Sequence, residues 1–145
     1  MTNHFEIIVG TMLGASEYVA DAIAAALAQR GVSTRIHGEP QLDEINKQAT
    51  WVVCTSTHGA GELPDNIQAF AKSVQHADLT GVNFYLIGLG DTSYDTFCYG
   101  AKEMETLLKA QGANMLSPAL HIDVLEHPIP EDEAVAWFET TLDNA

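Results

Sequence analysis

Glycine and hydroxyl-bearing residues are concentrated in residues 10–16, which read Gly-Thr-Met-Leu-Gly-Ala-Ser. The apolar run before them, residues 5–9, is typical of a strand, and the pattern after them, residues 17–29, is typical of a helix. A loop at such a junction directs backbone N–H groups and the positive end of the helix toward one point, which favours a phosphate. The segment contains no Lys or Arg and matches neither the triphosphate-binding nor the dinucleotide-binding glycine pattern. It therefore indicates either a site for one terminal phosphate or a turn and helix cap without a ligand.

Two further loops combine small residues with aromatic and polar side chains. Residues 56–66 read Ser-Thr-His-Gly-Ala-Gly-Glu-Leu-Pro-Asp-Asn, and residues 88–98 read Gly-Leu-Gly-Asp-Thr-Ser-Tyr-Asp-Thr-Phe-Cys. Small residues let the backbone approach a flat ligand closely, so that amides and carbonyls can bond to its edge. Tyr94 can then stack on one face of the ligand while His58 borders the other, the alternative being that Tyr94 simply packs on a helix. A phosphate loop beside an aromatic slot describes a site for flavin mononucleotide (FMN).

The apolar periodicity predicts where the elements that carry these loops begin and end. Strands are expected at residues 5–9, 32–37, 50–55, 82–88 and 115–124, the last with Pro118 as a place where it can bend. Helices are expected at residues 17–29, after Pro64, around residues 101–108 and from Pro130. This alternation indicates an α/β fold, in which a parallel sheet is covered by helices on both faces. Because ligands of such sheets bind at the carboxyl ends of the strands, the loops after strands one, three and four should converge on one site.

The composition is that of an ordinary globular domain with a strongly acidic charge. The 145 residues are 46% hydrophobic and predict one domain covering residues 1–145. The net charge of −14, with only six Lys and Arg residues, argues against nucleic acid and anionic membranes as partners. This charge either favours a partner with a basic docking patch or serves only to keep the protein soluble. No segment has the length of a membrane span and the N-terminus lacks a signal-peptide pattern, so a cytoplasmic location is expected, and the chain is separately expected to be a monomer.

Several other kinds of site lack the residues that they require. Cys54 and Cys98 have no metal-binding or redox spacing, and the histidines are scattered without the spacing of metal ligands. A low-molecular-weight tyrosine phosphatase needs an Arg six residues after its Cys, where this chain has Ala60 after Cys54 and Met104 after Cys98. A response-regulator receiver needs acidic residues at the ends of strands one and three, and this chain has none there. Metal-binding, phosphatase and receiver functions therefore find no support in the sequence.

Over its whole length the chain resembles a short flavodoxin, and residues 56–62 and 88–98 carry the most specific part of the resemblance. These two loops are also similar to the FMN domains of the sulfite reductase flavoprotein and related diflavin reductases. The resemblance implies a flavodoxin-like, doubly wound, five-stranded parallel sheet with strand order 2-1-3-4-5. It also implies that FMN is the cofactor, with its phosphate held by Thr11, Met12, Leu13, Gly14, Ala15 and Ser16. The flavin ring and ribityl chain are then assigned to Ser56, Thr57, His58, Gly59, Leu89, Gly90, Asp91, Thr92, Ser93, Tyr94, Asp95, Thr96, Phe97 and Cys98.

Two positions depart from the family pattern. Leu13 stands where many flavodoxins have Thr, which removes one hydroxyl from the phosphate loop. His58 stands where many relatives place an aromatic ring on the inner face of the flavin. The family also implies that the His58–Gly59 peptide turns its carbonyl toward the N–H at flavin N5 and so stabilises the neutral semiquinone. The imidazole of His58 is either a group whose protonation tunes the flavin or that of an ordinary loop histidine.

The resemblance implies a carrier of single electrons. The expected donor is a flavoprotein reductase with a basic surface, and the expected acceptor is a redox enzyme, with iron–sulfur enzymes as one class. Acidic residues expected at the rim of the site, Glu62, Asp65, Asp91 and Asp95, would attract such partners and disfavour negative charge on the reduced flavin. Two alternatives are an FMN-dependent quinone or nitro-compound reductase, for which this chain has little spare length, and a ligand-free interaction module on the same fold.

Overall fold

Strands and helices alternate through residues 4–144, the part of the chain that the computed structural model describes. The strands are β1 (His4–Gly10), β2 (Ser33–His37), β3 (Thr50–Thr55), β4 (Asn83–Gly90), β5 (Asn114–Met115) and β6 (Leu120–Asp123). The helices are α1 (Ala15–Gln29), α2 (Asp65–Val74), α3 (Tyr99–Ala110) and α4 (Pro130–Asp143), with a 3₁₀ turn at Leu42–Glu44. No helix in this part of the chain is long and apolar enough to cross a membrane.

The strand pairs of residues 4–144 are all parallel, in the order β2-β1-β3-β4, with β5 and β6 both placed along the far side of β4. This confirms the predicted α/β fold and the strand order 2-1-3-4-5. The fifth position differs from the prediction of one strand over residues 115–124, because residues 116–119 leave the sheet between β5 and β6. Pro118 lies in this gap and has no N–H to donate to β4, so the ladder is interrupted rather than bent.

The sheet is buried on both faces, as β1 shows most clearly. Phe5, Ile7 and Val9 belong to the apolar cluster that includes α1 and α4, whereas Ile8 belongs to the cluster that includes α2 and α3. Burying one side chain of this size stabilises the fold by about 1.5 to 3 kcal/mol. Packing on both faces therefore holds the carboxyl ends of β1, β3 and β4 in fixed positions at one edge of the sheet.

One buried carboxylate, Glu6, lies in the amino-terminal half of β1. Its Oε2 is 3.2 Å from Nε2 of His37 and 3.3 Å from Nε2 of His4, and its Oε1 accepts the Asn46 N–H at 3.0 Å. Burial raises the pKa of Glu6, but the hydrogen bonds from Asn46 and His37 outweigh it and hold the pKa below its ordinary value. The cluster ties β2 and Asn46 to β1, at the end of the strand opposite the predicted site.

Candidate functional site

The three predicted loops meet in one cleft of about 330 Å³ at the carboxyl edge of the sheet. Its lining consists of Thr11, Met12, Leu13 and Ala15 from the first loop, Ser56, Thr57 and Gly59 from the second, Leu89, Gly90, Asp91, Tyr94, Thr96, Phe97 and Cys98 from the third, and Val124 after β6. Six predicted site residues lie in the same loops without lining the cleft: Gly14, Ser16, His58, Thr92, Ser93 and Asp95. The structure thus brings the three loops together as the parallel sheet requires.

The first loop is folded by hydrogen bonds within the protein. The Thr11 N–H donates to Oδ1 of Asn66 at 2.8 Å, and the Thr11 hydroxyl oxygen accepts the Gly14 N–H at 2.8 Å. Gly14 precedes α1 with φ at 95°, a left-handed conformation that glycine adopts without strain. The helix begins at Ala15, two residues earlier than predicted, because this turn already directs the chain along the helix axis.

Several donors of this loop have no acceptor within residues 4–144. They are the N–H groups of Met12, Leu13, Ala15 and Ser16, together with the buried hydroxyl of Ser16. Unpaired N–H groups at a helix N-terminus attract an anion, and a buried hydroxyl without a partner is costly unless a ligand or water accepts its hydrogen. The donor set therefore fits a phosphate group, with no cationic side chain taking part.

The second loop closes on itself through His58 and Glu62. The His58 N–H donates to the Glu62 carbonyl at 2.7 Å, and the His58 carbonyl accepts the N–H groups of Glu62 at 2.8 Å and of Gly61 at 3.1 Å. That carbonyl is thus engaged inside the loop, and its turning toward flavin N5 stays a prediction. Within the turn that His58 and Glu62 close, Gly59, with φ at 52°, lines the cleft.

The third loop packs tightly on the start of α3. A Cβ atom on Gly90 would lie 2.8 Å from the backbone nitrogen of Cys98 and 2.9 Å from Cδ1 of Phe97, so only glycine allows this approach. Cys98 adopts a left-handed conformation, with φ at 55°, where the loop turns into the helix. Tyr94 lies on the outer part of the loop with its side chain 63% exposed, which leaves a ring face available to a ligand.

A buried carboxylate that the sequence analysis missed, Asp123, anchors this loop to the end of β6. Its Oδ2 accepts the Thr92 hydroxyl at 2.5 Å, and its Oδ1 accepts the N–H groups of Leu125 at 3.0 Å and of Thr92 at 3.4 Å. The hydrogen bond from the Thr92 hydroxyl holds the pKa of Asp123 below its ordinary value. The sequence did offer one signal, the place of Asp123 near the end of the last predicted strand, because the carboxyl ends of the strands lie at the edge where ligands bind.

The two cysteines are free thiols and both are buried. Burial raises the pKa of Cys98, which lines the cleft, to about 12, and it raises the pKa of Cys54 to about 12 as well. Neither thiol is therefore ionised at neutral pH, as a nucleophile or a metal ligand would have to be. Across residues 4–144, no group of His, Cys, Asp and Glu side chains is arranged to hold a metal ion.

Charge is distributed unevenly between the two edges of the sheet. Glu62, Asp65 and Asp95 are exposed in or beside the second and third loops. Lys72 and Lys109 lie in the last turns of α2 and α3, which end at the opposite edge because the helices run antiparallel to the strands. The edge that carries the cleft is therefore acidic, with Lys102 near the start of α3 as the basic side chain of these two helices that lies on that side.

Comparison with known proteins agrees with this architecture. The flavodoxin family model matches residues 7–138. The MioC protein of Escherichia coli K12 is 42% identical over 135 residues, which cover 91% of this chain and 91% of that protein. A MioC homolog of Haemophilus influenzae is 39% identical over 142 residues, which cover 97% of each.

Solved structures give the same result at the level of the fold. A cysteine-to-alanine mutant of flavodoxin from Pseudomonas aeruginosa matches with a TM-score of 0.86 and 32% identity, covering 97% of this chain and 99% of that one. The Fusobacterium nucleatum flavodoxin bound to flavin mononucleotide matches with a TM-score of 0.81 and 17% identity, covering 97% of each chain. The resemblance seen in the sequence is confirmed, and this chain belongs to the flavodoxin family.

Proposed function

We propose that the chain binds FMN in this cleft and carries single electrons from a flavoprotein reductase to a redox enzyme, in the cytoplasm. The observation that carries the proposal is that one cleft combines hydrogen-bond donors suited to a phosphate with an aromatic surface suited to a flat ring. Unpaired N–H groups lie at one end, with the buried Ser16 hydroxyl in the same loop, and an exposed aromatic ring with small residues lies at the other. The FMN-bound flavodoxin of Fusobacterium nucleatum supports the choice of ligand.

Residues 11–16 form the phosphate end of the cleft, and residues 56–59 and 89–98 form its ring end. At the phosphate end, the hydroxyl groups of Thr11 and Ser16 and the N–H groups of the loop hold the FMN phosphate. At the ring end, Tyr94 stacks on the flavin, and Gly59 and Gly90 let the backbone approach its edge. The apolar side chains of Leu89 and Phe97 shield the ring from water.

Bound FMN supplies the one-electron chemistry, and the protein sets the conditions under which it operates. Glu62, Asp65 and Asp95 are fixed negative charges near the ring end, and they disfavour the accumulation of further negative charge there. This makes the reduced protein a stronger electron donor. Asp123 adds a buried negative charge behind the third loop, where its low pKa keeps it ionised at neutral pH.

The same charges favour partners with basic docking surfaces. The net charge of −14 and the acidic cleft edge would accelerate the encounter with a basic reductase and with a basic acceptor, such as an iron–sulfur enzyme. Attraction of this kind weakens as salt screens it, with a screening length of about 10 Å at 0.1 M ionic strength.

The test is reconstitution with FMN followed by measurement of electron transfer. We expect the purified protein to retain one equivalent of FMN after removal of the excess, and to carry electrons from an NADPH-dependent flavoprotein reductase to an acceptor at a rate that falls with ionic strength. Failure to retain FMN would overturn the proposal. Steady oxidation of NAD(P)H by this protein alone would instead indicate an FMN-dependent reductase. An electron-transfer rate that does not depend on salt would contradict the proposed electrostatic attraction of basic partners.

A further inference from the structure

Asn66, the second residue of α2, bonds to three backbone groups at the ends of β1 and β2. Its Oδ1 accepts the Thr11 N–H at 2.8 Å, and its Nδ2 donates to the Val9 carbonyl at 2.7 Å. The same Nδ2 donates to the carbonyl of Gly38, the residue after β2, at 2.8 Å. Both amide hydrogens and the amide oxygen are thus used, which is close to the full capacity of an Asn side chain.

The contacts to Val9 and Thr11 reproduce the pattern of a parallel strand. In a parallel ladder, one residue donates to the carbonyl before its partner and accepts from the N–H after it. Asn66 does both around Gly10, just beyond the point where the pairing of β1 with β2 ends at Ile8 and His37. A side-chain amide therefore continues the sheet by one step, directly beside the phosphate end.

This bridge determines the conformation of the loop that follows. Asn66 fixes the backbone of Thr11, whose hydroxyl oxygen in turn accepts the Gly14 N–H. Between these two fixed points lie Met12 and Leu13, and after them Ala15 and Ser16, whose N–H groups have no acceptor within residues 4–144. Asn66 itself does not line the cleft.

We propose that Asn66 is a positioning residue for phosphate recognition: it holds residues 11–16 in the conformation that receives the FMN phosphate, without contacting the ligand. This inference rests on the proposed function, because it concerns how the same cleft selects its flavin. Loops that are ordered before binding lose less conformational entropy when the ligand arrives. Loss of Asn66 should therefore weaken FMN, which has a phosphate, and spare riboflavin, which has the same ring and no phosphate.

The test compares the dissociation constants of FMN and riboflavin, measured by quenching of flavin fluorescence with wild-type and variant proteins. Asn66→Ala removes three hydrogen bonds at the phosphate end, so we expect the FMN dissociation constant to rise about tenfold and that of riboflavin to change less than about twofold. Gln68→Ala is the matched control, because this amide in the same helix donates to the Leu63 carbonyl at 3.1 Å and does not reach the phosphate end. It should leave both constants within about twofold of wild type.

The outcomes separate this inference from the function on which it rests. Equal weakening of FMN and riboflavin in Asn66→Ala, or an unchanged FMN dissociation constant, overturns the positioning role. Asn66→Ser, whose short side chain cannot span Val9 and Thr11 together, should show the same selective loss and replaces the alanine variant if that variant does not fold. A wild-type protein that binds neither flavin overturns the proposed function itself.

Discussion

Thr11 and Tyr94 line the same cleft but lie in loops of different construction. Thr11 is fixed through its N–H by Asn66 and through its hydroxyl oxygen by Gly14, before any ligand is present. Tyr94 is 63% exposed, and its N–H donates to the Asp91 carbonyl at 3.1 Å, but its side chain has no hydrogen-bond partner within residues 4–144, although Thr92 ties the same loop to Asp123. We therefore expect the phosphate end to be ordered by folding, and the Tyr94 side chain to take a fixed position on contact with the flavin.

Because the two ends differ, the affinities for FMN and riboflavin together show which end of the cleft a substitution affects. In the proposed site, FMN would use both ends of the cleft and riboflavin only the ring end. A change at the ring end should weaken both flavins equally, and a change at the phosphate end should alter FMN alone. The ratio of the two dissociation constants therefore reports which end has been disturbed.

The largest effect is expected from Gly90→Ala. The added Cβ would lie 2.8 Å from the Cys98 nitrogen and 2.9 Å from Cys98 Sγ, so the third loop must move away from β4. We expect a loss of about 2 kcal/mol in the free energy of unfolding and a rise of more than about tenfold in both dissociation constants. Denaturant titration and flavin fluorescence measure the two quantities.

Gly38→Ala is the control for Gly90→Ala. A Cβ atom at Gly38 meets no atom within 4 Å, and the substitution keeps the carbonyl that accepts from Asn66. Its free energy of unfolding should stay within about 0.5 kcal/mol of wild type. A selective loss of FMN in Gly90→Ala would contradict the assignment of Gly90 to the ring end.

The next effect is expected from Tyr94→Ala, which removes an exposed ring without opening the core. Both dissociation constants should rise about tenfold because stacking on the flavin is lost, while the unfolding free energy stays unchanged. Tyr94→Phe keeps the ring and should bind both flavins nearly as wild type does. Unchanged affinities in the alanine variant would mean that Tyr94 does not stack on the ligand.

Asp123→Asn tests the buried anchor behind the ring end. Asn retains one oxygen, which can still accept the N–H groups of Leu125 and Thr92, but its NH₂ group replaces the oxygen that accepts the Thr92 hydroxyl hydrogen, and the negative charge is lost. We expect lower stability at neutral pH and a several-fold weakening of both flavins. A change confined to FMN would show that Asp123 acts on the phosphate end instead.

The pKa of Asp123 adds a prediction about pH. Because the folded-state pKa is lowered, the stabilisation from this carboxylate is fully present above the unfolded value of about 3.9 and is lost as the pH falls through the folded value. The difference in unfolding free energy between wild type and Asp123→Asn should therefore be largest near neutral pH and shrink below about pH 4. A difference that is constant between pH 7 and pH 3 would contradict the role of the charge.

The elements that carry the cleft could be predicted because their signals are local. Residues 50–55 are continuously apolar at their centre and form β3 over the same range, and Pro130 begins α4 as expected of proline in a first turn. Convergence of the three loops then followed from the rule that parallel strands place their carboxyl ends at one edge. The interruption at residues 116–119 had only Pro118 as a signal, and that signal did not distinguish a bend from a break.

The anchors of the cleft could not be predicted because they join distant parts of the chain. Asn66 lies 55 residues from Thr11, and Asp123 lies 31 residues from Thr92. Each contact depends on the residue at which each strand ends and its loop begins. Hydrophobic periodicity does not specify that position. The His58 carbonyl illustrates the same limit, since its bonds to Gly61 and Glu62 depend on the fold of the loop tip.

The smallest effect, and the finest test of the contrast between the two ends, is expected from Leu13→Thr. Leu13 is 98% exposed at the phosphate end, where many flavodoxins have Thr, so the substitution adds a hydroxyl donor and disturbs no packing. FMN affinity should rise about two- to threefold, riboflavin affinity should stay constant, and stability should not change. Leu13→Ala removes the exposed apolar side chain without adding a donor; an equal gain in that variant would assign the effect to the lost side chain. A gain limited to FMN and to the threonine variant would mean that the phosphate end, although ordered before binding, lacks one donor that its ligand can use.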